Sequence, residues 1–91
     1  MKTVNKFNYG QYSNDNYGTH TLGFTDSQGN DFYFSYNTLV AFTYKGNLYV
    51  HANDWGNTTG KHLNWIDGGD KKARLSHEDF CKKYTECFEI R

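Results

Sequence analysis

The sequence predicts an α+β fold: an N-terminal antiparallel sheet of four to five strands, packed by one short and one longer C-terminal helix. Three observations lead there. Apolar residues alternate with polar ones through residues 20–53, in segments broken by Gly- and Asn-containing turns, which is the period-two signature of strands. After residue 57 the apolar residues recur at three- and four-residue spacing, the signature of helices. The strands precede the helices and do not alternate with them, which argues against a parallel nucleotide-binding sheet.

The elements follow in order. Val4, Phe7 and Tyr9 mark a short first strand, with Lys2 and Lys6 on its polar side. Residues 10–18 are Gly, Asn, Asp, Ser and Tyr with one Gln, and such residues accept turn backbones. Leu22 and Phe24 alternate within a strand over residues 20–25. Asp26 to Asn30 form a turn. A strand over residues 31–36 puts Phe32 and Phe34 on one face and Tyr33 on the other.

The strongest hairpin runs from Thr38 to Tyr44 and from Leu48 to Asn53, around Lys45-Gly46-Asn47. Its loop length decides its faces. A two-residue loop pairs residue 44 with 47 and leaves apolar groups on both faces. A three-residue loop pairs 44 with 48, 42 with 50 and 40 with 52. The longer loop collects Val40, Phe42, Tyr44, Leu48, Val50 and Ala52 on one side, so it separates inside from outside better and is the expected register.

Residues 58–66 predict a short helix, capped by Asn57 or Thr58 and ended by Gly68-Gly69. The second helix has Ser76 as its cap and Asp79 at the reciprocal position. Leu75 and Phe80 form a hydrophobic staple across its start. Phe80, Tyr84, Cys87 and Phe88 make one apolar stripe, and Glu78, Lys82, Lys83 and Glu86 take the wet side.

Ninety-one residues suit a single domain spanning residues 1–91. Hydrophobic residues make up only 36% and aromatic ones 19%, so rings must supply burial that Leu and Ile usually supply. Ten basic side chains balance ten acidic ones, which gives no bulk attraction to nucleic acid or membrane. Residues 1–59 hold three basic and four acidic groups, and residues 60–91 hold seven and six, so the helical end is dense in both signs. No apolar stretch reaches membrane-span length and no signal peptide is visible. Cys81 and Cys87 fall within one helix, about 9 Å apart along its axis, too far to pair. Free thiols point to the cytoplasm.

Familiar chemistry does not fit. Gly56-Asn57-Thr58-Thr59-Gly60-Lys61-His62 has three residues between its glycines where a phosphate loop needs four, and His where it needs Ser or Thr. An anion resting on the first amides of the short helix beside Lys61 is a looser alternative to plain helix capping. His77 and Cys81, four apart on a helix, can share a metal only with two further ligands such as His62 or Cys87. The same pair is the sole local thiol and base, and His51 with Asp54 needs a bent strand end to meet. The residues therefore read as a non-enzyme with no cofactor and no metal site. Lys61, Lys71, Lys72, Arg74, Lys82 and Lys83 can form a discontinuous basic patch beside stacking platforms at Trp55, Trp65 or Tyr49, although Asp67, Asp70, Glu78, Asp79 and Glu86 interleave with it. Protein binding fits the composition best, because Tyr and Trp beside Asn, Gly and Ser build contact surfaces. For Trp65 a core position is preferred; Trp55 is balanced between core and surface.

The run Trp55-Gly56-Asn57-Thr58-Thr59-Gly60-Lys61-His62-Leu63-Asn64-Trp65-Ile66-Asp67 resembles a motif of an uncharacterised family of small proteins from phages and mobile elements of Gram-positive bacteria. Tyr36-Asn37-Thr38-Leu39-Val40-Ala41-Phe42 is similar to the same family's hairpin. The resemblance spans residues 33–80, about half the chain. It brings no residue roles. It implies a bacterial-cell or phage setting, where small domains block or adapt a host machine. The expectation is thus a small protein-interaction module in the bacterial cytoplasm: an inhibitor of a host defence protein such as a CRISPR nuclease, that is, an anti-CRISPR protein. The alternative is a nucleic-acid-binding domain. The expected contact residues are Trp55, Asn57, Lys61, Tyr12, Tyr17 and Tyr49. The expected partner is a host protein, with nucleic acid as the alternative and no membrane, and the chain acts as a monomer or homodimer.

Overall fold

Five strands run in sheet order identical to chain order: β1 (Asn5–Asn8), β2 (Leu22–Thr25), β3 (Asp31–Ser35), β4 (Thr38–Tyr44) and β5 (Asn47–Val50). Each pairs antiparallel with the next. Two helices follow, α1 (Asn57–Asp67) and α2 (His77–Phe88), separated by a short 3-10 turn at Lys71–Ala73. The fold is therefore α+β, a five-stranded antiparallel N-terminal sheet packed by two C-terminal helices. This computed structural model describes residues 5–10 and 20–88. Val4 and most of the 10–18 loop, with Tyr12 and Tyr17, lie outside the described residues.

The β4–β5 hairpin corrects the expected register. Tyr44 pairs with Asn47, Phe42 with Tyr49 and Ala41 with Val50. The loop is the two residues Lys45 and Gly46, both at positive φ, 52° and 84°. That is the primed turn whose twist matches the flanking strands. The longer loop looked better only because one face of the sheet was assumed to be wet. Both faces are dry. Directly paired residues share a face, so Phe32, Phe42 and Tyr49 point one way, and Tyr33, Ala41 and Val50 the other. The first set packs on Phe80, Tyr84 and Phe88 of α2, and the second on Leu63 and Ile66 of α1. The two helices thus cover opposite sides of one sheet.

A bulge supports this division. Tyr33 opposes Ala41, yet the next residue, Phe34, opposes Leu39. Val40 is the extra residue. It joins Ala41 in the α1-side cluster, while Leu39 returns to the α2 side. Two consecutive small side chains on one face let Leu63 come down to zero exposure. On the other side Phe42 sits at the centre of a ring cluster. Its ring centroid lies 5.2 Å from Tyr49, 5.3 Å from Phe80 and 5.4 Å from both Tyr84 and Phe88. Most of these pairs meet edge to face, the arrangement that ring quadrupoles favour.

The helix ends are built partly as expected. Gly68 at φ 71° terminates α1 and returns its N–H to Asn64 O at 2.8 Å. Ser76 Oγ accepts the Asp79 N–H at 3.2 Å, and Leu75 and Phe80 share one cluster. The start of α1 differs. Neither Asn57 nor Thr58 caps it; Gly56 holds the cap position at φ 155° with no side-chain bond. Asn53 braces the approach instead. Its Oδ1 accepts the N–H groups of Trp55 and Gly56, and its Nδ2 donates to Gly56 O at 3.0 Å. Gly60 leaves room for this side chain, since a Cβ there would stand 2.9 Å from Asn53 Nδ2 and push the amide end aside.

Candidate functional site

The stretch after the 3-10 turn folds back along the end of β5. Leu75 N–H donates to Val50 O, and Ala52 N–H donates to Leu75 O, both at 2.7 Å. This parallel bridge brings Arg74 beside Ala52 and opposite the exposed side of α1. An open groove of about 670 Å³ lies between them. Its polar lining is three amides, Asn53, Asn57 and Asn64, and three cations, Lys61, Lys71 and Arg74. No carboxylate lines it among the described residues.

Arg74 is the anchored member. Its Nε donates to Asp67 Oδ2 at 2.8 Å and its Nη2 to Asp67 Oδ1 and Asn64 Oδ1, both at 3.0 Å. The two side chains of this fork are 4% and 7% exposed. Burial alone would raise the Asp67 carboxyl, but hydrogen bonds from Arg74 and the Gly69 N–H, with the Arg74 charge, outweigh it and hold the group below its usual range. Since Asp67 neutralises Arg74, the groove's working charge comes from Lys61 and Lys71, both exposed.

A second depression lies at the other flank of the α1 start. It is a hollow of about 80 Å³ between Tyr36 and Trp55, with Ser35 and Thr59 among its walls. Tyr36 and Trp55 are 45% and 44% exposed, the largest rings to reach solvent to that extent among the described residues. Trp55 leans on His51, ring centroids 4.7 Å apart, and Tyr36 stacks on His20 at 4.2 Å. Tyr36 also holds φ at 59°, in the first position of a two-residue turn. That position favours Gly, Asn or Asp, and a bulky ring there costs backbone energy.

Beneath the hollow, Ser35 Oγ shares a 2.7 Å hydrogen bond with His62 Nδ1 and a 3.1 Å bond with Thr59 Oγ1. All three residues are buried. They pin α1 to the end of β3. Burial lowers the His62 pKa, with a further push from His20, so the ring is held neutral. Trp65 is half-buried and lies 5.8 Å from His62, nearly parallel to it.

Of the expected contact residues, the structure brings Trp55, Asn57 and Lys61 around the first turns of α1. Trp55 faces the hollow, and Asn57 and Lys61 face the groove. Tyr49 is elsewhere. It is half-buried in the ring cluster against α2, with Lys83 Nζ 5.5 Å from its ring. Asn53, Asn64, Lys71, Arg74 and Tyr36 were not among the expected contacts. Asn64 shares a helix face with Asn57 and Lys61 at four- and three-residue spacing, a local signal that was open to reading. Lys71 and Arg74 had been named in the candidate basic patch, but only the fold-back at Leu75 brings those two to the groove, and only the β3–β4 turn exposes Tyr36. Among the described residues no group of three or more His, Cys, Asp or Glu side chains is set to hold a metal ion. No helix among them is long and apolar enough to cross a membrane.

A model of DUF8033, described as a family of unknown function, matches residues 4–82 of the chain. No curated protein and no solved structure matches it.

Proposed function

The chain belongs to the DUF8033 family, and on that premise we propose that it is a small protein-binding module, with an acidic surface of its partner docking on the face around the start of α1. One observation carries the reading: a groove lined by cations and amides, without a carboxylate among its described lining residues, adjoins a hollow walled by two exposed rings. Rings of this kind supply contact area at small entropy cost, and Trp and Tyr are frequent binding hot spots. Lys61 and Lys71 add steering towards negative charge. The narrower form is an inhibitor from a phage or mobile element, directed at a host defence protein such as a CRISPR nuclease in the bacterial cytoplasm. Its support is the resemblance of residues 33–80. The test is affinity capture from bacterial host lysate with wild type, Trp55→Ala, Tyr36→Ala and Lys61→Glu/Lys71→Glu proteins of matched melting temperature. Wild type retains a discrete partner, and each variant loses it by at least about thirtyfold, the scale of one hot spot. Equal retention by all four removes the reading.

The paired exposed lysines also favour a second reading, nucleic-acid binding in the groove. It requires affinity for oligonucleotides that falls steeply between about 50 and 200 mM salt, as counterion release dictates. Binding without salt dependence counts against it.

A further inference from the structure

The polar groups that line the groove can be sorted into donors and acceptors from the bonds they already make. Arg74 only donates, so the Asn64 atom that meets its Nη2 at 3.0 Å is Oδ1, and the Asn64 NH2 group is turned away from it. That NH2 group has no acceptor among the described residues. Asn53 is fixed in the same way. Its Oδ1 takes the N–H groups of Trp55 and Gly56, and its Nδ2 spends one hydrogen on Gly56 O and keeps the other. The acceptors are spent. Asp67 Oδ2 is held by Arg74 Nε, and Asp67 Oδ1 by Arg74 Nη2 and the Gly69 N–H. Ala52 O, a carbonyl, accepts from His51 Nδ1 at 2.6 Å.

Arg74 supplies the independent sign of a ligand. Its side chain is 4% exposed, and Nε and Nη2 are fully engaged. Its third nitrogen, Nη1, has no hydrogen-bond partner among the described residues and is not sealed from solvent. It therefore opens on the groove that Arg74 lines. Nη1 shares a carbon with Nη2, and the Asn64 nitrogen shares one with Oδ1, so two unspent donors flank one hydrogen bond. Burying a guanidinium while leaving one of its nitrogens unbonded forgoes a charge-assisted hydrogen bond. An acceptor arriving from the groove restores it. Lys61 and Lys71, exposed beside this pair, make the arriving group an anion.

We propose, resting on the protein-binding reading above, that the groove is a carboxylate-recognition site, in which Arg74 Nη1 and the Asn64 amide seat one Asp or Glu side chain of an acidic peptide segment. Lys61 and Lys71 attract the segment, and the remaining Asn53 N–H takes a further oxygen. A protein carboxylate fits better than a phosphodiester chain. The Nε–Nη2 fork of arginine, which grips phosphate bidentately, is closed by Asp67. With Arg74 neutralised, two lysines carry the groove's uncompensated charge, too few to hold a run of phosphates against salt. Much of the recognition falls to neutral amides of fixed direction, which select by geometry where a lysine selects by charge alone.

The test is a proton–nitrogen NMR titration of the whole chain with hexaglutamate, hexaglutamine and a thymidine hexanucleotide. Hexaglutamate binds wild type and shifts the side-chain NH2 signals of Asn53 and Asn64; hexaglutamine does not. Asn64→Asp keeps the oxygen that Arg74 needs and replaces the groove-facing NH2 by a second oxygen. It weakens hexaglutamate binding by at least about tenfold, the scale of one charge-assisted hydrogen bond. Asn57→Asp puts the same charge on the same groove at an amide with no hydrogen bond to orient it, and weakens binding by at most about fivefold, the range of an exposed charge pair. Asn64 and Asn57 are both exposed, and matched melting curves check that the variants keep the fold. Equal losses for the two variants, hexaglutamate that fails to bind or leaves the Asn53 and Asn64 signals in place, or tighter binding of the hexanucleotide overturns the proposal. The broader reading is judged apart from it: a captured partner that Trp55→Ala loses and Asn64→Asp keeps leaves protein binding standing and removes the carboxylate seat.

Discussion

Truncating Phe42 to Ala tests the two-faced sheet most directly. Phe42 has zero exposure and meets four rings at centroid distances of 5.2 to 5.4 Å. Removing a buried Phe costs about 3–5 kcal/mol in transfer and cavity terms. Ring pairs add about 0.5–1.5 kcal/mol each beyond area, and losing four of them places this site at the upper end, about 4–5 kcal/mol. A domain of this length is stable by roughly 5–14 kcal/mol in all. The Ala variant therefore loses between about a third and nearly all of that stability, and Phe42→Leu, at about half the cost, is the partner that stays measurable at the low end. Urea unfolding followed by tryptophan fluorescence reads both, with an unchanged m-value confirming a two-state comparison. Leu48→Ala is the control, because Leu48 is 41% exposed and surface changes stay within about 0.5 kcal/mol. If Phe42→Ala costs under about 1 kcal/mol, or as little as Leu48→Ala, α2 does not pack on that face and the sheet has one dry side only.

Other outcomes follow from single residues. Lys45→Asn raises stability by about 0.5–1 kcal/mol in the same urea assay, since Asn-Gly is the preferred pair for a turn with both φ values positive. His62 gives a pH dependence: unfolded, it takes a proton near pH 6.5, whereas burial and His20 keep it neutral to lower pH in the fold. The unfolded chain then binds the extra proton, so stability falls as pH drops below about 6.5, by at most about 1.4 kcal/mol per unit; His62→Gln flattens that slope in melts between pH 7 and 5. Arg74→Ala leaves the partly buried Asp67 charge unpaired and costs about 1.5–3 kcal/mol, while Asp67→Asn weakens the loss of stability in acid, which begins below the unfolded carboxyl value of about 3.9 and is complete once pH has fallen through the depressed Asp67 value. Both are read by thermal melting.

The strands, both helices and their order were legible because their signals are local. Alternation marked β2 to β5, the staple and cap marked the start of α2, and Gly68 marked the end of α1. What local pattern could not supply was which side of the sheet each helix takes. A strand carrying Leu39, Val40, Ala41 and Phe42 in succession is apolar on both faces, and such a run has two explanations. Either the loop shifts the register to collect the apolar groups on one side, or something covers the other side. The first was preferred because the longer loop separates inside from outside better. The bulge at Val40 decides between them, since it sends two successive small residues towards α1, and a bulge is silent in sequence when both residues are apolar.

The same geometry explains why the site was half legible. Trp55, Asn57 and Lys61 are adjacent in sequence, and any exposed helix start would display them together. Their counterparts Lys71 and Arg74 depend on the chain crossing from the α1 face of the sheet to the α2 face. That crossing must pass the edge strand β5, and Leu75 fastens it there by bonding to Val50 and Ala52. A connection running around a sheet edge covers that edge and leaves a trough between itself and the first helix. The trough is polar because the connection is short, exposed and charged, and because Asp67 is turned inward onto Arg74 and leaves Lys61 and Lys71 exposed. The groove is thus a consequence of placing two consecutive helices on opposite faces, and its charge follows from one buried ion pair.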